Sequence, residues 1–165
     1  MKSLYLIRHA IAADPSPAYA TDAIRPLTEE GIERWRQQVR GLRTLDVEVE
    51  TILTSPYARC RQTADILAEG SPGAPPVILF DALRPGGRLA DVLEGTGDYR
   101  GSAALALVGH EPSIGSLAAQ LMGAQGTVPF KKGAVCRIDV ETFPPRGAGQ
   151  LVWLLPPKVL RRLGQ

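Results

Sequence analysis

The sequence predicts a single α/β domain over residues 1–165, built as three α/β/α layers with a mostly parallel sheet in the middle. Three observations point there. Short apolar runs alternate with stretches of helical periodicity, the pattern of strands joined by crossover helices. Several of the runs are apolar throughout, as strands are when both faces of a sheet are covered. The chain has 165 residues, enough for one core without disulfide or metal staples.

Strands are expected at residues 3–7, 51–54, 77–80, 104–108, 134–140 and 150–155. The first helix starts at Thr28, a good N-cap, with Glu29 and Glu30 at the positive end of its dipole. Leu27 can staple onto Ile32, and apolar residues then recur at Trp35, Val39 and Leu42. A second helix is expected over residues 55–68, with Ser55 as N-cap and Pro56 in the first helical position. A shorter helix covers 89–93. Another follows Pro112, with Ile114, Leu117, Ala118 and Leu121 on one face and Gly123 as its stop. Residues 158–163 form a terminal helix after Pro156-Pro157. The Pro/Gly-rich stretch 70–76 reads as a loop, as do 14–26 and 84–88, and no domain boundary is expected. Trp35 and Trp153 read as core residues.

Hydrophobic residues make up 44% and charged residues 22%, ordinary globular usage that excludes a disordered or fibrous chain. A net charge of +2 is too small to suggest a nucleic-acid partner. No stretch approaches the roughly 18 apolar residues of a membrane helix. The run Leu4-Tyr5-Leu6-Ile7 is too short for a secretion signal, and Arg8 ends it. Cys60 and Cys136 lack metal-ligand spacing and read as buried small hydrophobes in a reducing compartment. The expectation is a cytoplasmic protein that does not use a membrane, with a monomer favoured.

The chemistry concentrates at strand ends. The chain has two histidines, and each follows a candidate strand: His9 after the first and His110 after the fourth. In a doubly wound sheet such positions line one crevice. Arg8 ends an apolar strand, where a charge needs a partner. Arg59 lies in the first turn of the second helix, beside exposed N–H groups. Two arginines and two histidines suit a phosphate dianion, whose oxygens a guanidinium matches bidentately. Lys131-Lys132-Gly133 reads as a solvated turn before a strand, with docking of an acidic partner as the functional alternative. Arg161-Arg162 reads as a solvated helix face.

Four motifs in order make these residues resemble a known family. Leu6-Ile7-Arg8-His9-Ala10 resembles the Arg-His-Gly turn of the histidine phosphatase (phosphoglycerate mutase-like) superfamily, with Ala10 in the glycine's place. Arg25-Pro26-Leu27-Thr28-Glu29-Glu30-Gly31 resembles its R-P-L-T-x-x-G segment. Ser55-Pro56-Tyr57-Ala58-Arg59-Cys60-Arg61-Gln62-Thr63-Ala64 resembles its S-P-x-x-R-x-x-Q-T-A helix, and Val108-Gly109-His110-Glu111-Pro112 its second-histidine turn. The short length, and Leu83-Arg84-Pro85-Gly86-Gly87, resemble the SixA-like phosphohistidine phosphatases. Larger relatives place a proton-donating Glu where this chain has Pro85.

The resemblance implies a phosphoglycerate mutase-like fold and a metal-independent phosphatase that needs no cofactor. His9 is the implied nucleophile, forming a phosphohistidine intermediate that water hydrolyses. Arg8, Arg59 and His110 are the implied phosphate ligands. Ser16 is a candidate hydroxyl donor, since larger relatives place an Asn near the position of Pro15. No general acid carries over; Asp14, Glu111 and Asp81 are the candidates by position. A missing acid suits a phosphohistidine substrate, whose imidazole leaves more readily than an alkoxide. The implied partner is a phosphohistidine-bearing protein of signalling or phosphotransfer. The alternatives are a small-molecule phosphomonoesterase and a phosphate-binding module without turnover.

Overall fold

Side chains alternate along the central strands, and both alternating sets are apolar. In β1 (Lys2–Arg8), Tyr5 and Ile7 face one side while Leu4 and Leu6 face the other. In β4 (Ala104–Gly109), Ala106 and Val108 oppose Leu105 and Leu107. β2 (Thr51–Thr54) divides Ile52 from Leu53 in the same way. Such a sheet must be covered twice. In this computed structural model, which describes residues 1–165, α1 (Glu29–Thr44), α2 (Ala58–Gly70) and α5 (Pro157–Leu163) cover one face. α3 (Leu89–Gly95) and α4 (Ser113–Leu121) cover the other.

The remaining strands are β3 (Val77–Leu79), β5 (Val135–Val140) and β6 (Gln150–Leu155), and the sheet order is β3-β2-β4-β1-β5-β6. The first four in that order are parallel. β5 runs antiparallel to β1, and β6 antiparallel to β5. The expected three-layer α/β architecture is therefore observed. Thr28 caps α1 as expected, its hydroxyl accepting from Gly31 N–H at 2.9 Å. Gly123, at φ +70°, follows α4. Cys60 and Cys136 are buried free thiols, and Trp35 is fully buried in the core. No helix is long and apolar enough to cross a membrane.

Two expectations change. The second helix starts at Ala58, with Tyr57 as N-cap, and not after Ser55. The Ser55 hydroxyl is engaged by His110 instead. The outer strands are also not covered on both faces: Ile78 and Leu79 of β3, and Leu151 and Val152 of β6, are exposed.

Glycine sets the crossing of α1 and α5. A Cβ on Gly41 would fall 2.1 Å from the Leu160 carbonyl oxygen, and one on Gly164 2.0 Å from that of Gln37. Gly31 likewise lets the first turn of α1 touch the chain beyond β1, where a Cβ would fall 2.1 Å from the Ile11 carbonyl oxygen. All three obstacles are backbone, so they cannot rotate aside. Gly31→Ala and Gly41→Ala should each lower the unfolding free energy by about 1–3 kcal/mol. Urea denaturation checks this; an unchanged midpoint for either variant would show that the helix shifts freely.

Candidate active site

Parallel pairing brings three strand ends to one edge of the sheet. Arg8 at the end of β1 pairs with Gly109 at the end of β4, and Thr54 at the end of β2 pairs with Val108. The next residues, His9, Ser55 and His110, emerge side by side, as ligand-binding residues do in open parallel sheets. His9 N–H donates to the Gly109 carbonyl at 3.1 Å, and Ser55 N–H to that of Val108 at 3.0 Å. The two histidine rings meet edge to face, with centroids 5.5 Å apart and planes at 62°. Both are buried.

A carbonyl partner assigns the His9 ring proton. His9 Nδ1 lies 2.7 Å from the Ala10 carbonyl oxygen, which can only accept. Nδ1 therefore carries the proton, and Nε2 keeps its lone pair. Ala10 is itself held, its N–H donating to Thr63 Oγ1 at 3.1 Å. His110 Nε2 lies 2.8 Å from Ser55 Oγ. That hydroxyl accepts from Tyr57 N–H at 3.3 Å. Tyr57 packs edge-on against this ring at 5.2 Å, and Cys60 Sγ lies 3.4 Å from Nε2.

Two guanidinium groups flank the rings. Arg59 Nη1 donates to the Asp22 carbonyl at 2.9 Å, and its Nη2 pairs with Asp22 Oδ2 at 3.0 Å. Arg25 takes the other carboxylate oxygen, with Nη2 2.7 Å from Asp22 Oδ1. Arg8 Nη1 donates to the Phe130 carbonyl at 2.8 Å. The Nε atoms of Arg8 and Arg59 are the two buried side-chain polar atoms of the chain without a partner. A buried donor left unpaired costs about 1–3 kcal/mol. Two of them on arginines beside the histidines suit an oxyanion as the missing acceptor.

Burial, and then the neighbouring cations, keep the rings uncharged. Burial pushes the His9 pKa down to about 4; Arg59, Arg8 and Lys132 push the same way, and the Ala10 hydrogen bond opposes. Burial pushes His110 down to about 3, helped by Arg59, His9 and Arg8 and opposed by Asp22. Both imidazoles are neutral at pH 7 in the ligand-free protein.

Arg8, His9, Arg59 and His110 are thus brought together as the sequence suggests. Of the acid/base candidates only Glu111 comes near them, close enough for its charge to act on Arg8. Asp14 is exposed in its loop and makes no hydrogen bond or ion pair. Asp81 is exposed and pairs with Arg84 Nε at 2.9 Å. Glu111 accepts from Gly115 N–H at 2.7 Å and from Phe130 N–H at 3.3 Å, so both oxygens brace backbone. Ser16 accepts from Ala18 N–H at 3.2 Å and serves its own turn. The carboxylate at the cluster is one the sequence did not single out, Asp22. Burial opposes, but hydrogen bonds from Arg25 and Arg59 hold its carboxyl below the ordinary range. Its signal was Arg25, three residues on and already part of a motif. Ser55 was read only as a helix cap. No three His, Cys, Asp or Glu side chains gather in a way that could hold a metal ion.

The neutral histidines tie stability to pH. In the unfolded chain both protonate as pH falls through about 6.5, while the folded chain resists until about 4 and 3. The unfolded state then binds more protons, so stability is full above pH ~6.5 and falls on acidification. The slope is up to about 1.4 kcal/mol per pH unit for each histidine. Urea unfolding between pH ~7.5 and ~5 should show the decline, and His9→Gln should roughly halve its slope. An undiminished slope in His9→Gln would show that the ring is not held neutral.

Comparison with known proteins gives the family. The family model of the histidine phosphatase superfamily (branch 1) matches residues 4–85. An uncharacterised protein of Picosynechococcus sp. is 41% identical over 151 residues, covering 84% of this chain and 90% of the relative. The phosphohistidine phosphatase SixA of Escherichia coli K12 is 28% identical over 157 residues, 93% of each chain. The solved structure of the protein histidine phosphatase SixA complexed with tungstate superposes with a TM-score of 0.85 at 25% identity, covering 96% of this chain and 99% of that one. Motifs, fold and relatives agree: the chain belongs to the histidine phosphatase superfamily, among its SixA-like members.

Proposed function

We propose that this phosphatase works without a metal and takes its phosphoryl group from a histidine on a protein partner. One observation carries the reading: a nucleophile and cations are in place, but no carboxylic acid is poised to protonate a leaving alkoxide. Asp22 is held ionised by two arginines, Glu111 braces backbone, and Asp14 and Asp81 face solvent. General acid catalysis contributes about 10²–10⁴-fold to hydrolysis of an ordinary ester. A phosphohistidine does without it, because its second ring nitrogen can take a proton from solvent near neutral pH and imidazole then leaves neutral.

In the first step, His9 Nε2 attacks phosphorus in line and the P–N bond to the substrate imidazole breaks. The Ala10 carbonyl holds the Nδ1 proton and steadies the cationic phosphoimidazole as it forms. The unpartnered Nε of Arg8 and of Arg59 supplies donors to the phosphoryl oxygens, with the His110 ring beside them. In the second step, water attacks phosphorus, the P–Nε2 bond breaks with its electron pair returning to Nε2, and inorganic phosphate leaves as H₂PO₄⁻ with both of the water's protons, His9 again neutral with its proton on Nδ1. The SixA name of the similar relatives supports the same substrate class. Buried free Cys60 and Cys136 agree with work in a reducing cytoplasm.

The test compares a phosphohistidine-bearing protein, a phosphoserine peptide and para-nitrophenyl phosphate. The wild type should turn over phosphohistidine at least ~100-fold faster than phosphoserine. His9→Ala should lose at least ~10³-fold of that activity, and EDTA should leave the wild type unchanged. Efficient turnover of phosphoserine would favour the small-ester phosphatase. Loss of activity with EDTA would overturn the metal-free mechanism.

A further inference from the structure

Positive charge does not end at the phosphate-binding residues. A cleft of about 250 Å³ is lined by Ala10 and Ile11, the two residues after His9. Five cationic side chains line it: Arg34 of α1, Lys131 and Lys132 of the turn before β5, and Lys158 and Arg161 of α5. No carboxylate lines it. Arg34 pairs with Glu30 at 2.6 Å, but the other four have no acidic partner within 4.0 Å. The chain as a whole carries only +2, so this is a local concentration and not a general property of the surface. Arg161, expected on a solvated helix face, is half-buried and turned into the cleft.

The cleft is joined to the active site by backbone. Gly133 N–H lies 3.1 Å from both the Arg8 and the His9 carbonyl oxygens, which fixes the Lys131–Lys132 wall to the nucleophile's own strand end. Gln38 closes the contact from α1, its Nε2 donating to the Gly133 carbonyl at 2.7 Å. Lys132 is close enough that its charge acts on His9. The positive field is therefore continuous from the cleft to the histidine pair.

We propose that this cleft docks an acidic face of the phosphoprotein, beside the histidine that presents the phosphoryl group. The proposal rests on the phosphoprotein reading above. The observations favour this occupant over others. Lys131, Lys132 and Lys158 are exposed and sit on flexible stems, which suit a broad carboxylate-rich surface better than one small anion. No aromatic side chain lines the cleft to stack a base, which disfavours single-stranded nucleic acid. Cations without local counterions raise the encounter rate with an acidic partner and lose that effect in salt.

The experiment reads binding apart from turnover. The probe is an unphosphorylated fluorescent peptide of about a dozen residues with a central histidine among Asp and Glu, beside a neutral peptide of equal length and an oligothymidylate of equal charge. Fluorescence anisotropy with the full chain should show the acidic peptide binding at least about tenfold more tightly than the neutral one at ~0.05 M salt, a preference lost at ~0.5 M. Lys131→Glu/Lys158→Glu should weaken acidic-peptide binding at least about tenfold, while Arg36→Glu/Arg43→Glu, on another part of α1, should not. Turnover of free phosphohistidine should stay within about twofold in both double variants. Equal binding of the two peptides, or equal losses in the two double variants, would overturn the proposal. Tighter binding of the oligothymidylate would overturn it in favour of nucleic acid. Because peptide binding needs no phosphoryl transfer, failure of the wild type to turn over phosphohistidine refutes the function reading and leaves the cleft result readable.

Discussion

The hydrogen bond from His9 Nδ1 to the Ala10 carbonyl decides what the site can do, and much of the surrounding structure serves to keep that carbonyl in place. A neutral imidazole offers its lone pair from one nitrogen only, so fixing the proton on Nδ1 aims Nε2. Ala10 cannot drift because its N–H is bound to Thr63 of α2. Ile11, next along, accepts from Thr28 N–H at 3.0 Å and touches Gly31 in the first turn of α1. Two helices, α1 and α2, thus converge on two residues of backbone. This gives the glycine of the R-P-L-T-x-x-G segment a physical reason: a side chain there would push away the strand end that carries His9.

Around that point the protein gathers positive charge and leaves the histidines neutral. The arginines are steadied from opposite sides. Asp22 grips Arg59 from the loop before α1. On the β4 side, Glu111 binds the Phe130 N–H while the Phe130 carbonyl receives Arg8. Neither carboxylate neutralises its arginine's inner Nε. The outer edges are held by protein, and the inner donors are left for a ligand. This preorganisation stabilises charge without reorientation during the reaction.

The sheet, the layers and the four central residues were legible because they rest on local signals. Apolar alternation marks strands such as 104–108, and a histidine directly after a strand marks a crevice. The supporting residues were not legible, because their partners are remote in sequence. Asp22 meets Arg59 across 37 positions and Ser55 meets His110 across 55. A Ser-Pro pair before a helix has a local explanation as a cap, which concealed its partnership with His110. Glu111 misled for a related reason: its place beside His110 suggested proton transfer, yet its oxygens face Gly115 and Phe130. The limits of β3 and β6 as covered strands were also hidden, since an apolar run does not say which strand lies at the edge.

The seat of Asp22 on Arg59 has a further consequence for the resting protein. The guanidinium already holds one carboxylate, half exposed to solvent, so any visiting anion meets an internal rival. A singly charged ion offers little more than the carboxylate it would have to displace. A phosphoryl group offers two charges and three oxygens, and can reach the inner donors as well. Asp22 thereby reserves the outer edge of Arg59 for the protein and leaves an arriving anion the inner Nε first.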